Sequence, residues 1–251
     1  MTTSSAMEPL APPPAGLSQL ERVINIFMSP TKTFQDILRS NSWWMPLLLV
    51  VVLSAAQAWV IDQKVGFDRV AENQIHASPK SEDRINQLPP DQKAKQMEMS
   101  AKITRVVSYV APVMLLIMFA LYALIVWAAF NFGFGAQTTF MQVYAVSWYA
   151  ALPYLLRSVL VIITLLAGGD TDSFNQQNPI GTNAAYYMPE AAVWLKTLLM
   201  NFDAIAIWST ILMVIGMATI AKKSITQSAV IIGGLWLLTV ILSTGMAAAF
   251  S

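Results

Sequence analysis

His76 is the chain's one histidine and cysteine is absent, so the residues that most often serve as general base, nucleophile or soft metal ligand are nearly missing. A zinc site at His76 needs carboxylates to complete it. A Ser-His-Asp hydrolase needs that same imidazole, set between Ile75 and Ala77 in a polar loop, brought to a serine elsewhere. Asp170, Asp172 and Asn175 carry oxygens that could chelate a divalent cation, yet behind Gly168-Gly169 their spacing reads as a solvated turn. No GxxxxGK[ST], HExxH or GxSxG string occurs. Asn131-Phe132-Gly133-Phe134-Gly135 lacks the strand-to-helix setting of a phosphate cradle and reads as a flexible link. The expectation is a protein without catalytic residues, cofactor or metal.

One polar group does stand out. Arg157 lies within an apolar run from Phe140 to Ala167, where an arginine at mid-depth costs at least about 2.5 kcal/mol and so pairs, faces an interior, or reaches the headgroups. Two readings stay open. Either Arg157 forms a polar pair with Asp203 or opens onto a cavity that takes an anionic group, or the hydrocarbon crossing ends near Leu160 and the guanidinium reaches the headgroup layer. Asp203 stands in the first turn of a following helix, where a carboxylate suits the helix dipole, with Asn201 as a candidate cap. Trp43, Trp44, Trp208 and Gly216 are candidate interface residues. The tryptophans suit the membrane boundary, and Gly216, like Ser54 and Ala58, Ala229 and Gly233, or Ser243 and Ala247, lets helix backbones approach.

The elements that carry these residues follow from composition. Of 251 residues, 56% are hydrophobic and 12% charged, where a soluble domain carries about 25% charge. Five windows of bilayer length are charge-free or nearly so: 43–61, 106–130, 140–167, 204–221 and 229–250. The third exceeds the length a ~30 Å core requires, so it tilts, kinks at Pro153 or protrudes. The fold expected is therefore all-α, a polytopic membrane protein with five transmembrane helices, and an odd number of spans puts the termini on opposite sides. The net charge of +1 excludes a broad basic field for nucleic acid.

Residues 1–16 are rich in Ser, Thr, Ala and Pro and read as a disordered tail without signal-peptide character. Residues 17–42 hold two amphipathic helices. Leu17, Leu20, Val23, Ile24, Phe27 and Met28 form the expected apolar face of the first, with Glu21, Arg22 and Asn25 between them; Ser29-Pro30 starts the second. These helices either lie in the headgroup layer or pack on the bundle. The charged stretch 62–105 is an extramembrane loop whose segment 91–102 has the composition of a solvated helix. Orientation from basic residues is balanced: the loop 62–105 favours one side, the short turn at Lys222-Lys223 the other.

Three ordered stretches resemble the bacterial branch of the Yip1-domain family: Arg22-Val23 to Ser29-Pro30-Thr31-Lys32-Thr33-Phe34 followed by Trp43-Trp44-Met45-Pro46; Thr139-Phe140-Met141-Gln142 running to Ala151-Leu152-Pro153; and Asp203 to Trp208 with Gly216. The resemblance implies a five-helix integral membrane protein with a cytosolic N-terminus, placed in the cell (inner) membrane. It implies no catalysis, and it points to an accessory or scaffolding role beside other membrane proteins, including ABC-type exporters; the long loop 62–105 departs from the eukaryotic pattern. Expected partners are membrane lipids and other membrane proteins or further copies of the chain. The alternative is a small-solute or lipid transporter with a polar route past Arg157, which a cavity lined by Arg157, Gln142 and Asn201 would favour.

Overall fold

The computed structural model describes residues 16–250, with the side chain of Phe250 left aside. The tail expected over 1–16 lies, but for Gly16, outside the described residues. The described residues are helical and contain no strand. Five helical stretches are long and apolar enough to cross a membrane.

Two short helices open the fold, α1 (Gln19–Met28) and α2 (Pro30–Arg39). Ser18 and Glu21 close a capping box at the start of α1, while Ser29 bounds α2 with Pro30 at its first position but makes no side-chain cap bond. Ile26, Phe34 and Ile37 are fully buried against the bundle, so α2 packs on it. The face of α1 differs from the expected one. Arg22 and Ile26 turn inward, whereas Leu20, Ile24 and Met28, four residues apart, remain exposed. The inward pull is polar: the Arg22 guanidinium finds a carboxylate, Asp36, that the adjoining helix supplies.

The first span is α3 (Trp44–Lys64). The stretch 62–105 is helical: α4 (Phe67–His76), α5 (Pro79–Asn86) and the start of α6 (Pro90–Phe134). The solvated helix expected over 91–102 is thus continuous with the second span, in a 45-residue rod about 67 Å long, more than twice the hydrocarbon thickness. Pro112 lies inside this helix and is buried. Gly135 ends α6 in the left-handed conformation (φ 59°), as a residue without Cβ can. The flexible link expected over Asn131–Gly135 is instead the last turn of α6 and its cap, and the residues after it are tied back to the helix, since Trp127 Nε1 and Asn131 Nδ2 both donate to the Thr138 carbonyl, at 2.9 and 3.0 Å.

The third span breaks where Pro153 predicts. α7 (Phe140–Ala150) and α8 (Tyr154–Leu166) meet at a turn around Ala151–Pro153. A 3-10 turn at Ala184–Tyr187 and the short α9 (Val193–Met200) lead to the fourth span, α10 (Ala204–Ala221), and to the fifth, α11 (Ile225–Phe250). α1 and α2 lie at the end of the bundle where α3 and α7 start and α10 finishes, here the proximal end. The loops 62–105 and 168–203 meet at the distal end.

Each end has its own apolar core. At the proximal end Phe34, Val143, Trp148, Tyr149 and Met217 are buried together, and Trp43 packs on Tyr144 (ring centroids 5.0 Å) and Trp148 (6.0 Å). Gly216 makes this possible, because a Cβ there would come within 2.5 Å of Val146 Cγ1 and 2.9 Å of Phe34 Cε1. At the distal end Val60, Ile61, Phe67, Val70, Val161, Leu165, Phe174 and Ile180 form a second cluster that ties the ends of α3 and α8 to the loops.

Candidate functional site

Arg157, Asp203 and Asn201 come together. They line one cavity of about 300 Å³ with Tyr154, Gln177, Asn183, Trp236 and Thr239. α10 forms its back wall, α8 and α11 its sides, and residues 177–183 with the end of α9 its distal rim. Gln142 is elsewhere, in a capping box with Thr139 at the proximal start of α7, because its amide satisfies the Thr139 N–H at 2.9 Å.

Asp203 is the N-cap of α10, and Asn201 is not. Asp203 Oδ1 accepts from the Ile205 and Ala206 amides at 2.9 and 3.2 Å, and Oδ2 accepts from the Thr182 hydroxyl and from Asn183 Nδ2 at 3.2 Å. The physical reason is position: only the residue directly before the helix reaches the amides two and three residues on. Burial pushes the Asp203 carboxyl up, but the bonds from Thr182, Asn183, Ala206 and Ile205 outweigh it and hold the group below the usual carboxylate range. Asn201 instead donates to the Thr197 carbonyl at 2.8 Å and to Ser243 Oγ of α11 at 3.2 Å, pinning α9 to α11.

Arg157 donates from Nη2 to the Gln177 carbonyl at 2.8 Å. It shares the cavity with Asp203 but forms no ion pair with it among the described residues. Arg157 stands in the first turn of α8, just after the break at Ala151–Pro153, and Asp203 stands directly before α10; the irregular backbone of residues 177–183 closes the cavity between them.

The other candidates are structural. Trp43 is packed within the proximal aromatic cluster, Trp44 beside it is exposed, and Trp208 meets Phe27 of α1 edge-on at 5.6 Å. Asp170 caps its own turn, accepting from the Asp172 amide at 2.8 Å and the Ser173 hydroxyl at 2.6 Å, and Asp172 pairs with Arg69. His76 Nδ1 lies 2.8 Å from Glu82 Oε1. Among the described residues no cluster of three His, Cys, Asp or Glu residues could hold a metal.

The latch at the proximal end has no counterpart in the sequence reading. Arg22 is fully buried; Nε donates to Asp36 Oδ2 at 2.7 Å, Nη2 to the Asp36 carbonyl at 3.2 Å and Nη1 to the Ser42 carbonyl at 3.3 Å. Asp36 also takes two bonds from Arg39 and one from the Leu17 amide. Burial pushes its carboxyl up, yet the bonds from Arg39, Arg22 and Leu17 hold it below the usual range. The signal was there: Arg22 and Ile26 share a face, four residues apart, and Asp36 is the acid of the next helix.

The arrangement of short paired helices, a broken third span and a Gly-tightened fourth span covers the regions in which the family resemblance lay. A model of the Yip1 domain matches residues 24–246. The chain belongs to the Yip1 family. The match takes in α2 through most of α11, so the latch residue Asp36, the packing residues Phe34 and Gly216 and the whole distal cavity fall inside the domain. No curated protein and no solved structure matches the chain. This Yip1-domain protein is a multi-pass membrane protein by family and by its five apolar helices.

Proposed function

We propose that this Yip1-family protein is a non-enzymatic accessory or scaffolding subunit of the cell membrane, its N-terminus in the cytosol, that packs within the bilayer against other membrane proteins, an ABC-type exporter being the class the resemblance suggests. The observation that carries this reading is the unequal burial of the spans. In α10 44% of the apolar window is buried inside the chain, in α11 11%. On α11 a Cβ added at Gly233, Gly234 or Gly245 would meet nothing within 4 Å, so three small residues leave room for another helix to approach closely. At the other end Leu20, Ile24 and Met28 form an exposed apolar stripe, as suits a helix lying against the headgroups.

Purification of the full chain in mild detergent tests the reading. The expected result is a defined complex with exporter subunits that G234L/G245L abolishes without lowering the melting temperature. A monomer in both preparations would contradict it. The second reading, a small-solute or lipid transporter with a route past Arg157, is favoured by the distal cavity. Filling of the proximal half by Phe34, Val146, Trp148 and Met217 weighs against a continuous polar route; a melting temperature that rises with one solute and is indifferent to partner proteins would support it.

A further inference from the structure

We propose that the distal cavity is a resident site for one zwitterionic amino-phospholipid, its phosphate on Arg157 and its ammonium toward Asp203 and the Trp236 ring. This goes beyond the accessory role and does not depend on it.

Four observations carry the inference. First, the only cationic side chain lining the cavity among the described residues has donors to spare. Thr210 and Thr239 give their hydroxyl protons to carbonyls of their own helices, at 2.9 and 3.0 Å, and both the Asn183 and Asn201 amides donate within the protein. Arg157 has a fork of N–H donors and uses one of them, on the Gln177 carbonyl. A planar guanidinium with free N–H groups is suited to a phosphate.

Second, the site is formally neutral. The carboxylate of Asp203 is held by neutral donors, so its charge remains and balances Arg157 across the same cavity. An anion with no cation of its own meets that carboxylate at a cost, whereas a headgroup carrying both charges matches both walls. Trp236 also lines the cavity, where an indole can receive an ammonium.

Third, depth fits. Asp203 caps the first turn of the fourth span and shares the cavity with Arg157 and with the loop residues Gln177 and Asn183, so the site lies where that apolar helix ends and a headgroup is met. Fourth, the cleft opens sideways. α8 and α11 both pack on α10 and scarcely on each other, and both carry exposed apolar residues, Leu156 and Leu160 on one and Leu238 and Leu242 on the other. A ligand with acyl chains can enter from the bilayer, while residues 177–183 and α9 restrict entry from the distal water.

The test uses the full chain, delipidated in detergent, with native mass spectrometry and thermal melting as readouts. The probes are dihexanoyl phosphatidylethanolamine, dihexanoyl phosphatidylglycerol, a dihexanoyl glycerol without phosphate, and inorganic phosphate. The expected result is one retained phosphatidylethanolamine that raises the melting temperature, with at least tenfold weaker retention of phosphatidylglycerol and none of the phosphate-free glyceride. R157Q loses at least tenfold. T239W fills the cleft from α11 without touching Arg157 and loses the lipid at an unchanged apo melting temperature. This second variant decides the matter if R157Q fails to fold. Equal retention of phosphatidylglycerol, retention by T239W, or displacement of the lipid by millimolar inorganic phosphate would each overturn the proposal.

Discussion

Replacing Asp36 by alanine leaves the Arg22 guanidinium fully buried with no carboxylate beside it. Two of its three polar contacts, to the carbonyls of residue 36 and Ser42, survive the change, while the 2.7 Å charge-assisted bond is lost. Removing one partner of a buried pair costs about 3–5 kcal/mol, and the remaining carbonyls place this case near the lower end, about 3 kcal/mol. At about 1.4 kcal/mol per factor of ten, the opening of α1 and α2 from the bundle becomes roughly a hundredfold more frequent. Amide exchange of residues 19–39 in lipid nanodiscs reads this directly, with the amides of α10 as an internal reference. D36N, which keeps an acceptor, loses less. The double variant R22M/D36L recovers most of the protection, because two apolar residues of similar size restore packing without a buried charge. Unchanged exchange in D36A, or a double variant as labile as the single, would refute the latch as the device that holds α1 to the bundle.

Other outcomes follow from the same structure. G216A pushes a methyl group to 2.5 Å from Val146 Cγ1 and lowers stability by about 1–3 kcal/mol as overpacking does, seen as a lower melting temperature in detergent. D203A removes the cap of α10 and costs about 0.5–2 kcal/mol for the cap alone, with D203N nearer wild type; the measurement is denaturant or thermal unfolding. Because the folded Asp36 carboxyl is held below its ordinary 3.8, its stabilisation is complete above that value and fades as pH falls through the lowered one. The protection factors of α1 and α2, corrected for the intrinsic pH dependence of amide exchange, therefore stay flat from pH 7 to about 4 and fall only below it. R69A, which breaks an exposed pair with Asp172, changes stability by less than about 0.5 kcal/mol.

The spans were legible because hydropathy over bilayer lengths is a local property. The windows 204–221 and 43–61 nearly coincide with α10 and α3, and Pro153 marks the break between α7 and α8. What the sequence hid depends on tertiary partners. Arg22 reads as a solvated residue until Asp36 is brought beside it by the turn at Ser29-Pro30. Ile26 and the exposed stripe of Leu20, Ile24 and Met28 are equally apolar, so periodicity could not choose which face turns inward. Arg157 and Asp203 do share a site, yet as two walls of a cavity with separate partners, since the loop residues Gln177, Thr182 and Asn183 that satisfy them lie in a segment without periodicity. Similarly, α6 runs through the boundary between charged and apolar sequence because helix propensity does not change there.

The five crossings underlie every other statement, and the absence of cysteine makes them directly measurable. Single cysteines placed at Ser173 in the distal loop and at Ser224 in the turn after α10 can be labelled in oriented membrane vesicles with an impermeant maleimide. The two cysteines are expected to react from opposite faces of the vesicle; reaction of both from one face, or recovery of the unmodified chain in the aqueous fraction without detergent, would contradict the five-span fold.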